Sequence, residues 1–312
     1  MTAAIRPQDR KPLLHHRTIR VRLVALLLVL AAASCQPART ALQVVVPPSR
    51  LKIATWNLDW LNHEIEAGMV PRTSDDYERL AAYAKRLDAD LVALQEVDGE
   101  AAATRVFDPS VYSFEFTADE ANLQRTGFAY KKWLHVVAEP DLVALAVSGT
   151  RRGADVLVIA GKFQLRVLSI HLKTGCWSDP LNTDSHSCEV LRQQLPILEN
   201  WIDSRAREGT PFAVLGDFNR RFEAGDEFWD AIDHGDAPEA KLSDVTKSHT
   251  SECWGGEYPV YIDHLVFSRQ AARRVNSESF RQVEFDAIDA PFKDRLSDHC
   301  PIAVSLDLGG QP

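Results

Sequence analysis

From Leu51 onward the chain alternates between short apolar runs and amphipathic stretches, and two periods can be told apart. Leu51-Lys52-Ile53-Ala54-Thr55-Trp56-Asn57 has the period of two of a strand and ends on a polar residue. Leu91-Val92-Ala93-Leu94-Gln95-Glu96 is a continuous apolar run ending in a carboxylate, the pattern of a strand buried on both faces. Tyr112–Thr117, Gly127–Lys132, Phe163–Leu172, Phe212–Leu215 and Tyr261–Phe267 read as further strands, and a last one follows His299. The helical period appears after Thr73, which stands at capping-box spacing from Asp76; Tyr77, Leu80, Ala81, Ala84 and Leu87 then share one face. Glu189–Arg207 has the same period, with Leu191, Leu195, Leu198, Trp201 and Ile202 on one stripe, and Gly225–His234 predicts a short helix. Strands outnumber helices and the two are interspersed. The expected fold is therefore α+β, with sheets packed face to face and helices outside.

A polar group stands where most of these strands end or begin: Asn57, Glu96, His171, Asp217 with Asn219, Asp263, and Asp298 with His299. Singly, each has an ordinary explanation. Asn57 suits a strand-end turn, Glu96 or Asp217 could cap a following helix, and His171 could be a satisfied core histidine. Jointly they point elsewhere, because strand ends aligned across two packed sheets converge on one rim. A rim of Asp, Glu, Asn and His without a thiolate suits Mg²⁺, Mn²⁺ or Ca²⁺ better than zinc or copper. Asp59 and His264 stand beside these residues and are expected to be structural.

Ahead of this region, Arg6, Arg10, Lys11, Arg17, Arg20 and Arg22 form a basic leader, and Leu23–Ala33 is an apolar core too short to span a bilayer as a mature helix. Residues 1–34 are expected to be a secretory signal, residues 35–50 a Pro-rich tether and residues 51–312 the folded domain. Ala32-Ala33-Ser34-Cys35 is similar to a bacterial lipobox. That implies a lipid anchor on Cys35 and an exported, periplasmic or outer-membrane protein, with plain cleavage as the alternative. The whole chain carries a formal charge of −9; without residues 1–34, which hold six basic residues and one acidic one, it is −14. No global basic footprint exists, which argues against a DNA-coating protein but not against an enzyme that meets a phosphodiester through a metal ion. Beyond Cys35 there are Cys176, Cys188, Cys253 and Cys300. Cys176 and Cys188 bracket a polar loop and are expected to pair, leaving Cys253 with Cys300. No CxxC or HxxxH spacing supports zinc.

The strand-end segments also occur in a known order. Trp56-Asn57, Leu94-Gln95-Glu96, Ser169-Ile170-His171-Leu172, Gly216-Asp217-Phe218-Asn219, Ile262-Asp263-His264 and Ser297-Asp298-His299 resemble the ordered motifs of the endonuclease/exonuclease/phosphatase superfamily. That group includes deoxyribonuclease I, exonuclease III-type nucleases, neutral sphingomyelinases and inositol polyphosphate 5-phosphatases. The resemblance covers nearly all of Leu51 to Leu306. It implies a four-layer αββα sandwich with two mixed sheets and Mg²⁺-dependent phosphoester hydrolysis. On the matching positions it implies that Glu96 holds the metal, with Asn57 and Asp298 on the metal side. Asp217 would orient and deprotonate the attacking water, and Asn219 would hold the phosphate beside it. His299 would contact the scissile phosphate, oriented and kept charged by Asp263 rather than by its neighbour Asp298. His171 would bind phosphate or assist the leaving group. Whether Asp217 or a histidine is the base stays open. Deoxyribonuclease I pairs its catalytic histidine with a second acid on a central strand, and Gly127-Phe128-Ala129-Tyr130-Lys131 offers none here.

Substrate choice falls to the loops. Trp60, Trp177 and Trp254 lie close to the motifs and could stack on bases, touch lipid or roof the core. There is no long basic insertion to grip duplex DNA and no amphipathic hairpin to enter lipid. The leading expectation is a monomeric nuclease. The alternatives are hydrolysis of phospholipid or of a small phosphate ester, and a non-catalytic binding module, against which the intact Glu96, Asp217, Asp263 and His299 speak.

Overall fold

In the computed structural model, which describes residues 48–233 and 241–309, side-chain alternation along twelve strands sorts the apolar residues into three cores. The expected signal segment, the tether as far as residue 47 with Cys35, and His234 lie outside the described residues. The first sheet has the order β11 (Val275–Gln282), β12 (Ile302–Asp307), β1 (Arg50–Leu61), β2 (Leu91–Val97), β4 (Arg125–Lys131), β3 (Tyr112–Phe116). The second runs β5 (His135–Ala138), β6 (Ala154–Ala160), β7 (Phe163–His171), β8 (Phe212–Asp217), β10 (Asp263–Ser268), β9 (Leu242–Asp244). The β1–β2 and β7–β8 pairs are parallel and the other pairs antiparallel, so both sheets are mixed.

Ile53, Leu91, Ala93, Phe128, Val156, Leu165, Val167, Ala213, Leu215, Leu265 and Val304 fill the space between the sheets. Their strand neighbours Ala54, Trp56, Val92, Leu94 and Ala129 face the other way and pack on Tyr77, Leu80, Ala84 and Leu87 of α1 (Ser74–Leu87). On the outer face of the second sheet, Leu168, Ile170 and Val214 meet Leu191, Leu198, Trp201 and Ile202 of α2 (His186–Glu208). The short helix Glu227–Ile232 adds Phe228, Trp229 and Ile232 to the same core. This is the four-layer αββα sandwich implied by the resemblance. Central strands buried on both faces explain the continuous apolar runs. Among the described residues, no helix is long and apolar enough to cross a membrane.

The capping box forms as read: Thr73 Oγ1 accepts from Asp76 N–H at 3.4 Å, and Asp76 Oδ2 accepts from Thr73 N–H at 2.9 Å. The long helix starts at His186, three residues earlier than expected, because Ser185 Oγ caps it by accepting from Cys188 N–H at 3.1 Å. Four strands lie outside the expected set: β5, β6, β9 and β11. β11 and β9 are edge strands, one largely polar and one three residues long, so neither carries a readable apolar pattern. Both expected disulfides, Cys176–Cys188 and Cys253–Cys300, are present.

Candidate active site

The face of each sheet that looks into the sandwich turns polar toward one end. Thr55 Oγ1 donates to Gln95 Oε1 at 3.1 Å, and Gln95 Nε2 donates to Ser169 Oγ at 3.1 Å, closing the apolar core with a bridge between the sheets. The next inward positions along the same strands are Asn57 after Thr55 and His171 after Ser169. Asp217 follows Leu215, and Asp263 precedes Leu265 on β10. A period of two therefore delivers all four side chains to one rim.

Glu96 is out of step, since Gln95 already points inward. The β1–β2 and β2–β4 registers both slip here, between Asn57 and Leu61 and between Leu94 and Val97, and Glu96 has φ +59°. A bulge with a left-handed residue turns its carboxylate onto the rim, at the cost of a conformation that side chains avoid. Asn219 also has a positive φ, +50°, which brings its amide N–H to within 2.8 Å of Asp217 Oδ1.

The rim is tightly connected. Asn57 Nδ2 donates to Glu96 Oε1 at 3.0 Å and to Asp217 Oδ2 at 3.1 Å. Asn219 Nδ2 donates to the same Asp217 oxygen at 3.1 Å and to the Leu172 carbonyl at 3.1 Å. His171 Nε2 sits 3.4 Å from Asp217 Oδ2 and 3.6 Å from Glu96 Oε1, while its buried Nδ1 has no partner among the described residues. His299 Nδ1 meets Asp263 Oδ2 at 2.6 Å, and its Nε2 lies 3.9 Å from Asp217 Oδ2. The expected site residues are thus brought together, with Asp298 the most exposed of them. The rim opens into a cleft of about 670 Å³, lined also by Trp60, Gln124, Arg151, Trp177, Arg221 and Tyr258.

The sequence matches the Endonuclease/Exonuclease/phosphatase family over residues 54–299, which is most of the chain. The chain belongs to this family. Among solved structures it is similar to truncated Caenorhabditis elegans TDP2, at 15% identity and a TM-score of 0.57, covering 83% of this chain and 98% of that one. An endonuclease/exonuclease/phosphatase of Bacteroides vulgatus aligns at 15% identity and a TM-score of 0.56, covering 84% and 100%. D. rerio TDP2 complexed with a single-strand DNA product aligns at 18% identity and a TM-score of 0.56, covering 83% and 99%. No curated protein matches the chain in sequence.

This family member has an uneven electrostatic landscape. Burial raises the Asp217 pKa from 3.8 to about 7; His299 and the Asn219 N–H oppose the rise, and Asp263 and Glu96 add to it. Burial would lower the His299 pKa, but Asp263, Asp298 and Asp217 outweigh it and hold it well above 6.5, so His299 is an imidazolium. His171 goes the other way: burial, with Arg151 and His299 nearby, pushes it well below 6.5, so it is neutral. Asp217, Asp263 and His299 lie close enough together to be read as a metal site. As an imidazolium, His299 has no lone pair to offer a cation.

Asp59, expected to be structural, stands near Asp298 and Glu96 in an acidic cluster; burial, with these two, raises its pKa to about 6. One expectation needs correcting: Asp298 and His299 are not separate, because Asp298 Oδ1 lies 3.7 Å from His299 Nε2, although Asp263 remains the closer partner. His264 is structural as expected, held by Thr246, Asp244 and the Arg220 carbonyl. Trp254 roofs the core, stacked on Phe285 at 4.4 Å and donating to the Ser297 carbonyl at 2.9 Å. Trp177 stays 44% exposed at the cleft. Sequence reasoning missed Gln124, whose amide donates to Glu96 Oε2 at 2.5 Å, and Arg151, which donates to the Leu172 carbonyl at 2.8 Å. Neither sits in a motif. Gln124 just precedes β4, and only the β2–β4 pairing places it over Glu96.

Proposed function

We propose that the protein is a divalent-metal-dependent phosphodiesterase that cleaves nucleic acid, with single-stranded DNA the first substrate to test. The observation that carries this reading is the arrangement around Asp217: a buried carboxylate faces an imidazolium 3.9 Å away, with an acidic cluster on the opposite sheet. The donor set fits a hard cation. Asp59, Glu96 and Asp298 are oxygen donors near one another; burial first, and then the charges of Asp298 and Glu96, raise the Asp59 pKa to about 6. Glu96 would hold the ion, with Asn57, Asp59 and Asp298 beside it. Bound there, Mg²⁺ would offset charge on the phosphate oxygens.

The chain's own residues divide the remaining work. Asp217, ionised, would accept a hydrogen bond from the attacking water and then its proton, a task for which a pKa near neutrality is suited. Asn219 and Asn57 each donate to Asp217 and so fix its orientation. His299 would donate Nε2–H to a phosphate oxygen, its ring held by Asp263 at Nδ1. Neutral His171 can donate from Nε2 beside the leaving oxygen. The D. rerio TDP2 structure with a single-strand DNA product supports a single-stranded substrate, as does the absence of a basic insertion for duplex DNA. The signal segment, the lipid anchor at Cys35 and a monomeric, exported enzyme remain part of the proposal, on the sequence alone.

A hydrolysis panel tests it: single-stranded DNA, plasmid DNA, RNA, sphingomyelin and inositol phosphates, each with Mg²⁺, Mn²⁺ or Ca²⁺. Cleavage of single-stranded nucleic acid above the others supports the reading. Turnover confined to sphingomyelin or inositol phosphates overturns the substrate class.

A further inference from the structure

Arg72 lies in the connection between β1 and α1, outside every motif, yet its side chain is fully buried. A buried arginine ordinarily meets a carboxylate, because an uncompensated charge in the interior is very costly. The hydrogen bonds of this one all go to backbone carbonyls. Nε donates to Arg295 O at 2.7 Å, and Nη2 reaches Leu296 O at 2.6 Å, Asp59 O at 2.8 Å and Leu58 O at 3.0 Å. Nη1 reaches Trp60 O at 3.3 Å.

These carbonyls belong to two segments far apart in sequence. One is the end of β1 directly after Asn57, where the register slips; the other leads into Ser297-Asp298-His299. The first is bent in a costly way, since Asp59 and Trp60 are successive left-handed residues with φ +44° and +56°. That bend turns the carbonyls of Leu58, Asp59 and Trp60 toward a single guanidinium. Such strain persists only where the surroundings impose it, and it clusters at functional sites. The two segments touch elsewhere too, where Ser297 Oγ donates to the Asn57 carbonyl at 2.8 Å and accepts the His299 N–H at 3.0 Å.

We infer that Arg72 is a positioning residue: it locks the segment carrying Asn57 and Asp59 to the segment carrying Asp298 and His299, and so fixes the spacing between the acidic cluster and the His299 ring. The kinetic part of this inference rests on the proposed hydrolysis; the structural part does not. A planar fork of five donors suits carbonyls arriving from two directions, whereas a lysine ammonium is a compact group with three donors.

Arg72→Lys is the test, with Arg72→Gln as the second variant if the lysine protein does not fold. On the best substrate of the panel, kcat should fall at least about tenfold with KM within about threefold, because the loss is one of geometry rather than of substrate contact. In an Asn57→Ala background the same change should cost several-fold less than in the wild type, since one of the residues it positions is already gone. A purely structural arginine gives equal losses in both backgrounds. Hydrogen exchange supplies the arm that needs no activity: the amides of Asp59 and His299 should lose protection together, while those of α1 keep theirs. Unchanged protection at both amides, or a loss confined to one segment, overturns the inference. If the wild-type protein hydrolyses nothing in the panel, the proposed function fails while the exchange result still decides the role of Arg72.

Discussion

The two sheets bring opposite kinds of chemistry to one rim. The second sheet contributes His171, Asp217, Asn219 and Asp263, all buried and knit by hydrogen bonds. Apart from buried Asn57, the acids of the first sheet are more open: Glu96 and Asp59 are half-buried and Asp298 is exposed. On the dry side burial raises the Asp217 pKa and lowers that of His171; on the acidic side burial raises the Asp59 pKa, with repulsion from Asp298 and Glu96 added. Their buried arginines differ in the same sense. Arg220, next to Asn219, pairs with Asp226 at 2.6 Å and donates to the Cys176 carbonyl at 2.8 Å, bracing the disulfide-closed loop. Arg72 behind the first sheet bonds only to carbonyls, leaving its charge facing the acids. The result is a division of labour: a rigid, dry side suited to proton transfer and phosphate contact, and an acidic side suited to a cation.

The largest effect should come from breaking the dry side. Asp263→Asn removes the charge that keeps His299 protonated, so kcat should fall by about 10³. His299→Gln should cost as much, and the double variant little more, because the pair acts as a unit. Steady-state kinetics check this; additive losses would separate the two residues. On the acidic side, Glu96→Gln should lower kcat by about 10² and raise the Mg²⁺ concentration needed for half-maximal rate. An unchanged metal requirement, read by titrating EDTA-treated enzyme, would move the cation elsewhere.

A subtler probe uses pH, which couples the two sides. The ionised form of Asp217 is the active one and its pKa is raised to about 7, so at sub-saturating Mg²⁺ the rate should climb as pH rises through about 7. A cation at Glu96 favours the carboxylate, so the midpoint should fall as Mg²⁺ is raised. A midpoint indifferent to Mg²⁺ would uncouple the sides. The smallest effect concerns the scaffold behind the acidic side. Burial would raise the Asp76 pKa, but hydrogen bonds from Thr73 and Arg295 hold it below 3.8. Its contribution is therefore present above the unfolded value and is lost as pH falls through the folded one. Asp76→Ala should cost about 1–2 kcal/mol at neutral pH. Thermal melts at neutral and acidic pH should show that difference shrinking with acid.

Much of the dry side was legible, for a simple reason. His171, Asp217 and Asp263, like Asn57 across from them on the first sheet, continue the inward alternation of strands whose apolar residues are plain in the sequence. The acidic side was less so. Glu96 was found by its place at a strand end and by resemblance, while alternation alone points it outward until the bulge turns it back. Asp59 depends on two successive left-handed residues, which composition does not announce. Arg72 depends on a segment more than 200 residues away. Edge strands β9 and β11 escaped because an edge need not be apolar.

The most direct test of the central claim is cleavage of an end-labelled single-stranded DNA oligonucleotide by the wild-type protein and by Asp217→Asn, side by side, with Mg²⁺ and with EDTA. The account predicts phosphodiester cleavage by the wild type with Mg²⁺, loss of that cleavage in EDTA, and a rate at least about 10³-fold lower in the variant. Cleavage by Asp217→Asn at the wild-type rate, or wild-type cleavage undiminished in EDTA, would contradict it.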